Sequence, residues 1–152
     1  MARYDFPADL FATLLYFLNL RLLQETQMES HASPRVLCAD DDKDTCQLLS
    51  ALLSRSGIEV RLANSAHEAL RLAQLEHFDL YLLDSQFSDD DGFELCRRLR
   101  EFDQHTPILF FAGAAYETDK RKAVAAGANA YIVKPDSGGV LVGTVLQLIA
   151  HR

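Results

Sequence analysis

Three short apolar segments of this chain each run into charged side chains, and this pattern limits how the chain can fold. A charge at the end of a buried strand is costly unless it is paired or used chemically. Such charges meet only if the strands are parallel and end at the same edge of one sheet. The segments and their charges are 35–39 with Asp40 and Asp41, 79–83 with Asp84, and 130–133 with Lys134.

Helical periodicity follows each predicted strand. A helix is predicted over 43–56, ending at Gly57, with an apolar stripe formed by four leucines. Ser65 and Glu68 have the spacing of a capping box, which predicts the start of the next helix. Alternation of strands and helices with short connections implies a parallel, doubly wound α/β sheet. The four leucines are Leu48, Leu49, Leu52 and Leu53.

The remaining elements complete five strand–helix units. Further strands are predicted at 58–62, 79–83, 108–111 and 129–133. Further helices are predicted from Ser65 to about 77, from Gly92 or Phe93, over 117–126, and from about 140 towards the terminus. In the last helix Leu141, Val145, Leu148 and Ile149 lie on one face, which Val142 and Leu146 widen. Core packing is the favoured explanation of that face, and a partner surface is the alternative.

From about Arg35 to its end the chain resembles a receiver domain of the bacterial response-regulator family. Five motifs carry the resemblance, in the order and spacing of the family. They are Asp40-Asp41, Leu82-Leu83-Asp84, Asp91-Gly92, Thr106-Pro107 and Tyr131-Ile-Val-Lys134-Pro135. The resemblance implies a flavodoxin-like (βα)5 fold with strand order 2-1-3-4-5, in which ligands bind beyond the carboxyl ends of the strands.

The predicted chemistry is phosphoryl transfer to Asp84. Three carboxylates from neighbouring strand ends repel each other unless a hard cation lies between them, and Mg²⁺ prefers oxygen ligands. By resemblance, Asp41, Asp84 and the backbone carbonyl of Gln86 would ligate Mg²⁺ directly, and Asp40 would act through water. Asp84 would be the phosphoacceptor, and Lys134 would offset charge on the transferred group.

Two positions depart from the family pattern. Ala112 replaces the threonine or serine whose hydroxyl binds the phosphoryl group, and Ser88 replaces a proline in the loop after the phosphoacceptor. Tyr131 matches the aromatic residue that rotates inward on activation. Ala112 and Tyr131 are therefore the candidate switch residues, and the missing hydroxyl predicts weak coupling between phosphorylation and the active conformation.

Three functions remain open. The favoured one is a stand-alone receiver that takes a phosphoryl group from a histidine kinase or phosphotransfer protein and changes its affinity for a downstream protein; it would not be a conventional enzyme. A receiver-like interaction module independent of phosphorylation is the alternative, supported by Ala112. A phosphatase of the haloacid-dehalogenase type would use Asp40 and Asp42, but it needs further carboxylates after its lysine, and only Asp136 follows Lys134.

Composition and the amino-terminal segment narrow the setting. The net charge of −7 argues against direct nucleic-acid binding, and three cysteines without metal-type spacing indicate a reducing, cytoplasmic compartment. Residues 35–152 are predicted to form the receiver domain, preceded by an extension over 1–34. Its apolar stretch 10–23 is too short and interrupted to span a membrane. Either the start codon is assigned too early and this segment is not part of the protein, or the segment forms a helix for docking or dimerisation. The last two helices are the other candidate surface for a dimer.

Overall fold

The computed structural model describes residues 33–113, 116–135 and 139–151, together with Leu15 and Leu18. The chain divides into two compact units, Met1–Ala32 and Ser33–Arg152, and the fold below is that of the second. Most of the apolar stretch 10–23 lies outside the described residues, so its predicted roles stay predictions. Among the residues described, no helix is both long and apolar enough to cross a membrane.

Five strands alternate with five helices along the second unit. The strands are β1 Arg35–Ala39, β2 Glu59–Ala63, β3 Leu80–Leu83, β4 Ile108–Ala112 and β5 Ala130–Val133. The helices are α1 Lys43–Ser54, α2 Ala66–Leu75, α3 Gly92–Phe102, α4 Glu117–Ala126 and α5 Gly139–Ala150. All strand pairs are parallel and the order is β2-β1-β3-β4-β5, which confirms the predicted flavodoxin-like fold. Element ends differ from the sequence prediction by one or two residues: α1 stops two residues early, whereas β2 and β4 each end one residue later than predicted.

Successive strand residues point to opposite faces of the sheet, and helices cover both faces. Leu37, Tyr81 and Phe110 face a core shared with α2, α3 and α4. On the other face, Val36 and Leu109 belong to a core shared with α1 and α5. Burial on both faces explains why β3 and β4 are continuously apolar rather than alternating.

Two local predictions need correction. In α1 the leucine stripe is narrower than predicted, because Leu48 is 57% exposed while Leu49 and Leu53 are buried. At the start of α2, the Ser65 hydroxyl accepts the Glu68 N–H at 3.0 Å, as in a capping box, but the Glu68 carboxylate accepts the N–H of Asn64 rather than that of Ser65. The predicted helix start is correct, but the hydrogen bond to the Glu68 carboxylate comes from the residue before the predicted donor.

Arg100, in α3, links several chain segments at the end of the sheet opposite to the charged cluster. Its guanidinium donates to the carbonyl oxygens of Asp103 at 3.0 Å, Thr106 at 2.7 Å and Gly127 at 3.0 Å, and to the Asn129 side chain at 3.0 Å. One side chain therefore joins the end of α3, the start of β4 and the turn before β5.

Candidate functional site

The structure brings three carboxylates together at the carboxyl ends of β1 and β3. The two strands pair with Ala39 opposite Leu83, so the next residues, Asp40 and Asp84, leave the sheet side by side. The Asp84 N–H still donates to the Ala39 carbonyl oxygen at 2.9 Å, which extends the strand ladder by one bond. Carboxylate oxygens of Asp40, Asp41 and Asp84 lie within 4.8 Å of one another.

Lys134 reaches this cluster from the end of β5. Its backbone N–H donates to the Ala112 carbonyl oxygen at 2.8 Å, which fixes the lysine one residue beyond the last strand pair. Its Nζ lies 2.5 Å from Asp40 Oδ2 and 3.3 Å from Asp84 Oδ1. The side chain of Asp40 is only 4% exposed, so this ion pair is largely shielded from water.

The surroundings raise the pKa of both Asp84 and Lys134, but for different reasons. Burial raises the pKa of the Asp84 carboxyl and the charge of Asp40 adds to this, while Lys134 opposes both. Burial by itself lowers the pKa of Lys134, but its hydrogen bond to Asp40 and the charges of Asp84 and Asp40 raise it overall. Lys134 is therefore held in its charged form beside a carboxylate whose ionisation is costly.

The cluster fits a small, hard cation. Three carboxylates supply anionic oxygens, and one lysine offsets only part of their charge, so the site favours a divalent cation such as Mg²⁺. An open cleft of about 500 Å³ lies over the cluster, with Gln86, Gly113 and Tyr116 in its wall. Gln86 is thus at the cleft, where its backbone carbonyl is predicted to serve as a ligand.

The neighbouring aspartates are held by separate bonds. Asp41 Oδ2 accepts the Ser88 N–H at 3.0 Å, a contact between residues 47 positions apart. Asp42 is the N-cap of α1: its Oδ1 accepts the Asp44 N–H at 3.0 Å and its Oδ2 accepts the Thr45 hydroxyl at 2.8 Å. Asp42 is therefore occupied as a helix cap, which speaks against the phosphatase pairing of Asp40 with Asp42.

The loop after Asp84 is tightly packed where it enters α3. A side chain at position 92 would collide with the Asp84 carbonyl oxygen and would lie 2.8 Å from Ser85 Cα, so only glycine fits there. The Gly92 N–H donates to the Ser85 carbonyl oxygen at 3.0 Å. Asp91 Oδ1 accepts the Phe93 N–H at 2.7 Å and caps α3. The Asp91-Gly92 motif thus fixes the distance between the end of β3 and the start of α3.

The two predicted switch positions lie beside the cluster. Ala112 is fully buried at the end of β4. The Tyr131 ring is half-buried and stacks on Phe110 with ring centres 6.1 Å apart. Burial and the charge of Asp119 raise the pKa of the Tyr131 hydroxyl, and a hydrogen bond with the Ser85 side chain opposes them.

Sequence reasoning did not predict the contacts of three residues near the site. Ser85 is 6% exposed and bonds to Tyr131, Ser88 holds Asp41 through its N–H, and Asp89 accepts the N–H groups of Ala66 and His67 at 3.1 Å each. These contacts cross between loops that are far apart in sequence. Only the serine at position 88, where the family pattern has proline, gave a sign of them.

Comparison with known proteins identifies the family. Residues 36–145 match the profile of the response regulator receiver domain. The Bacillus subtilis alkaline phosphatase synthesis transcriptional regulatory protein PhoP is 37% identical over 103 residues, covering 68% of this chain and 43% of the relative. The Streptomyces coelicolor transcriptional regulatory protein AfsQ1 is 36% identical, covering 71% and 48%. The chain thus spans less than half the length of these relatives.

Solved structures share the fold. The receiver domain of the Francisella response regulator 1452 has a TM-score of 0.74 at 29% identity, covering 78% of this chain and 98% of that one. A CheY-like receiver domain protein from Methanospirillum hungatei has a TM-score of 0.76 at 28% identity, covering 79% and 96%. Together with the matching profile, these likenesses show that the chain belongs to the response regulator receiver domain family.

Proposed function

We propose that this receiver domain accepts a phosphoryl group on Asp84 and that Mg²⁺ binds beside it during the transfer. The observation that carries the proposal is the meeting of three carboxylates and Lys134 at one end of the sheet, with Lys134 Nζ 3.3 Å from Asp84 Oδ1. The cation would be held by Asp41, Asp84 and the Gln86 carbonyl, with Asp40 in the surrounding shell. When bound, it supplies positive charge to the oxygens of the transferred group.

The transfer itself requires a nucleophile and a cationic partner. An ionised oxygen of Asp84 attacks the phosphorus atom of a phosphohistidine, the P–N bond breaks, and the imidazole nitrogen leaves with the electron pair and takes a proton from solvent. The product is an acyl phosphate. Lys134, now 2.5 Å from Asp40 and 3.3 Å from Asp84, is within reach of the phosphoryl oxygens and would stabilise their charge.

A histidine kinase or a phosphotransfer protein is the proposed donor, and a downstream protein is the proposed target. The protein would act as a switch rather than as a conventional enzyme. Val124 in α4 and Val140 in α5 are 73% and 60% exposed, which supports a binding surface on these helices for a target or a second copy. We propose a cytoplasmic setting, supported by the three cysteines, Cys38, Cys46 and Cys96, which are free and buried.

A second candidate is a receiver that binds its partner without phosphorylation. Two observations favour it: Ala112 offers no hydroxyl to a phosphoryl group, and Tyr131 is already bonded to Ser85 and stacked on Phe110 without one. In this case the conformation that the partner recognises would be present from the start.

The test is phosphorylation by acetyl phosphate with Mg²⁺, followed by intact-mass measurement. Wild type should gain one phosphate, and the gain should disappear in Asp84→Asn or when EDTA removes Mg²⁺. Asp42→Asn is the matched control, because Asp42 caps α1 and should not be needed. Labelling of Asp84→Asn at the wild-type level would refute the assignment. A wild type that never labels but binds a partner would favour the second candidate.

A further inference from the structure

Asp41 is the one carboxylate of the cluster that is exposed to water, and it is also a proposed direct ligand of the cation. An exposed aspartate samples several rotamers unless a neighbour restrains it, and each extra rotamer weakens binding. In this structure the Ser88 N–H restrains it by donating to Oδ2 at 3.0 Å. The other oxygen, Oδ1, then remains for a cation.

The restraint depends on this chain having serine rather than proline at position 88. Proline has no backbone N–H, so a receiver with proline there cannot make this bond. The missing proline therefore has two consequences. The loop loses the stiffness of the pyrrolidine ring, and it gains a donor directed at Asp41.

Asp89, the next residue, compensates for the lost stiffness. Its two carboxylate oxygens accept the N–H groups of Ala66 and His67, at 3.1 Å each, in the first turn of α2. Those N–H groups have no partners within the helix, so the contact satisfies α2 and anchors the loop at once. Although burial opposes it, the bonds from His67 and Ala66 hold the pKa of Asp89 below its usual value.

The loop is therefore fixed on both sides of Ser88. Asp89 anchors it to α2, and the Phe87 N–H donates to the Asp90 carbonyl oxygen at 3.1 Å within the loop. We propose, on the basis of the phosphoryl-transfer function above, that the Ser88 N–H is a positioning group that orients Asp41 for the cation, and that Asp89 holds the Ser88 N–H in place. Both residues act through Asp41 rather than on the phosphoryl group.

Two substitutions at one position separate the backbone from the side chain. Ser88→Ala keeps the N–H and should bind Mg²⁺ within about twofold of wild type in isothermal titration calorimetry. Ser88→Pro removes the N–H and should bind about tenfold more weakly, as for other groups that orient a metal ligand. Equal Mg²⁺ affinities for the proline and alanine variants, whether both unchanged or both weakened, would overturn the proposal.

Asp89 provides a second route that does not depend on proline being tolerated. Asp89→Ala should weaken Mg²⁺ binding severalfold, and Asp89→Asn, which keeps one acceptor, should lie between it and wild type. Ser65→Ala is the control: it removes a cap from the same helix without touching the loop. It should lower the unfolding temperature and leave Mg²⁺ affinity unchanged. If it weakens Mg²⁺ binding as much as Asp89→Ala, the role of Asp89 is only structural.

Amide hydrogen exchange in the metal-free protein tests the contact itself. The Ser88 N–H should exchange at least tenfold more slowly in wild type than in Asp41→Ala or Asp89→Ala. An unprotected Ser88 amide in wild type would overturn the proposal whatever the affinities are. If wild type binds no Mg²⁺ at all, the proposed function fails, and this is seen before any variant is compared.

Discussion

Asp84→Asn should make the metal-free domain more stable, although it removes a partner of Lys134. The reason is the balance of charges around one half-buried carboxylate. At an effective dielectric constant of about 20, Lys134 at 3.3 Å attracts Asp84 by about 5 kcal/mol. Asp40, within 4.8 Å, repels it by at least about 3.5 kcal/mol on the same scale. Asp41 adds about 1 kcal/mol of repulsion, because water screens it.

The pairwise energies therefore cancel to within about 1 kcal/mol, and the cost of burying the charge decides the sign. That cost is visible in the pKa of Asp84, which burial raises. A carboxylate whose pKa is raised by folding weakens the fold once it is ionised. The cost is therefore present at neutral pH and disappears as the pH falls towards 3.8, the ordinary aspartate value.

We expect Asp84→Asn in EDTA at pH 7 to be more stable than wild type by about 1 kcal/mol, or about 3–5 °C in unfolding temperature. Adding Mg²⁺ should reverse the order. A Mg²⁺ concentration ten times the dissociation constant stabilises wild type by about 1.4 kcal/mol, and the variant, which lacks a proposed Mg²⁺ ligand, should gain much less.

Thermal unfolding followed by circular dichroism measures the unfolding temperature of each variant under four conditions, with EDTA or Mg²⁺ at pH 7 and at pH 4. Asp42→Asn is again the matched control, because it removes a charge from a helix cap outside the cluster. A metal-free Asp84→Asn domain that is less stable than wild type at pH 7 would refute the reasoning. It would mean that the ion pair with Lys134 outweighs the combined repulsion and burial.

Three further outcomes are expected. Lys134→Met should cost about 3–5 kcal/mol in metal-free urea unfolding, because it leaves the buried Asp40 without a cation, and a loss below 1 kcal/mol would contradict this. Asp103 has a pKa lowered to about 2, so Asp103→Asn should cost about 1–2 kcal/mol at pH 7, with the difference from wild type vanishing as the pH falls from about 4 to about 2 in acid unfolding. Ala112→Thr should strengthen the response of Tyr131 to beryllofluoride, seen by NMR, by about tenfold or more; an equal response in wild type would show that no hydroxyl is needed.

The lowered pKa of Asp103 has a specific source. Burial raises it, but the N–H groups of Thr106 at 3.0 Å and His105 at 3.1 Å and the Tyr81 hydroxyl at 2.8 Å all donate to the carboxylate and lower it further than burial raises it. Because these donors favour the ionised form, the stabilisation is complete above the unfolded-state pKa and is lost on acidification through the folded one.

The fold could be predicted well from the sequence because the pattern of apolar residues and the positions of the turn and cap residues indicate the same elements. Strands that are apolar throughout, the stop at Gly57 and the cap at Ser65 are local signals, and each led to the correct element. The meeting of Asp40, Asp84 and Lys134 was also predictable, since parallel strands bring their carboxyl ends to one edge. Leu48 was misplaced because a helical stripe of four leucines is wider than the face that the sheet covers.

The contacts within the site were less accessible to sequence reasoning. Ser88 meets Asp41 across 47 positions and Asp89 meets Ala66 across 23, and both contacts depend on backbone N–H groups that every non-proline residue carries. The identity of a residue therefore does not show whether its backbone N–H donates to a distant side chain. The bond between Ser85 and Tyr131 could not be predicted for a related reason, because a serine beside Asp84 indicates no particular partner.

Because Arg100 makes four contacts, a substitution at this position in a relative should be accompanied by substitutions at the positions it contacts. Exchanging Arg100 alone would remove the donor to three carbonyl oxygens and one of the two donors to Asn129 Oδ1, which also accepts the Ile108 N–H at 2.8 Å. Position 127 is coupled as well, because a side chain there would lie 3.0 Å from Arg100 Cγ and Gly127 has a φ of 101°. Positions 100, 127 and 129 should therefore change together over evolution, independently of the residues that are proposed to carry the phosphoryl chemistry.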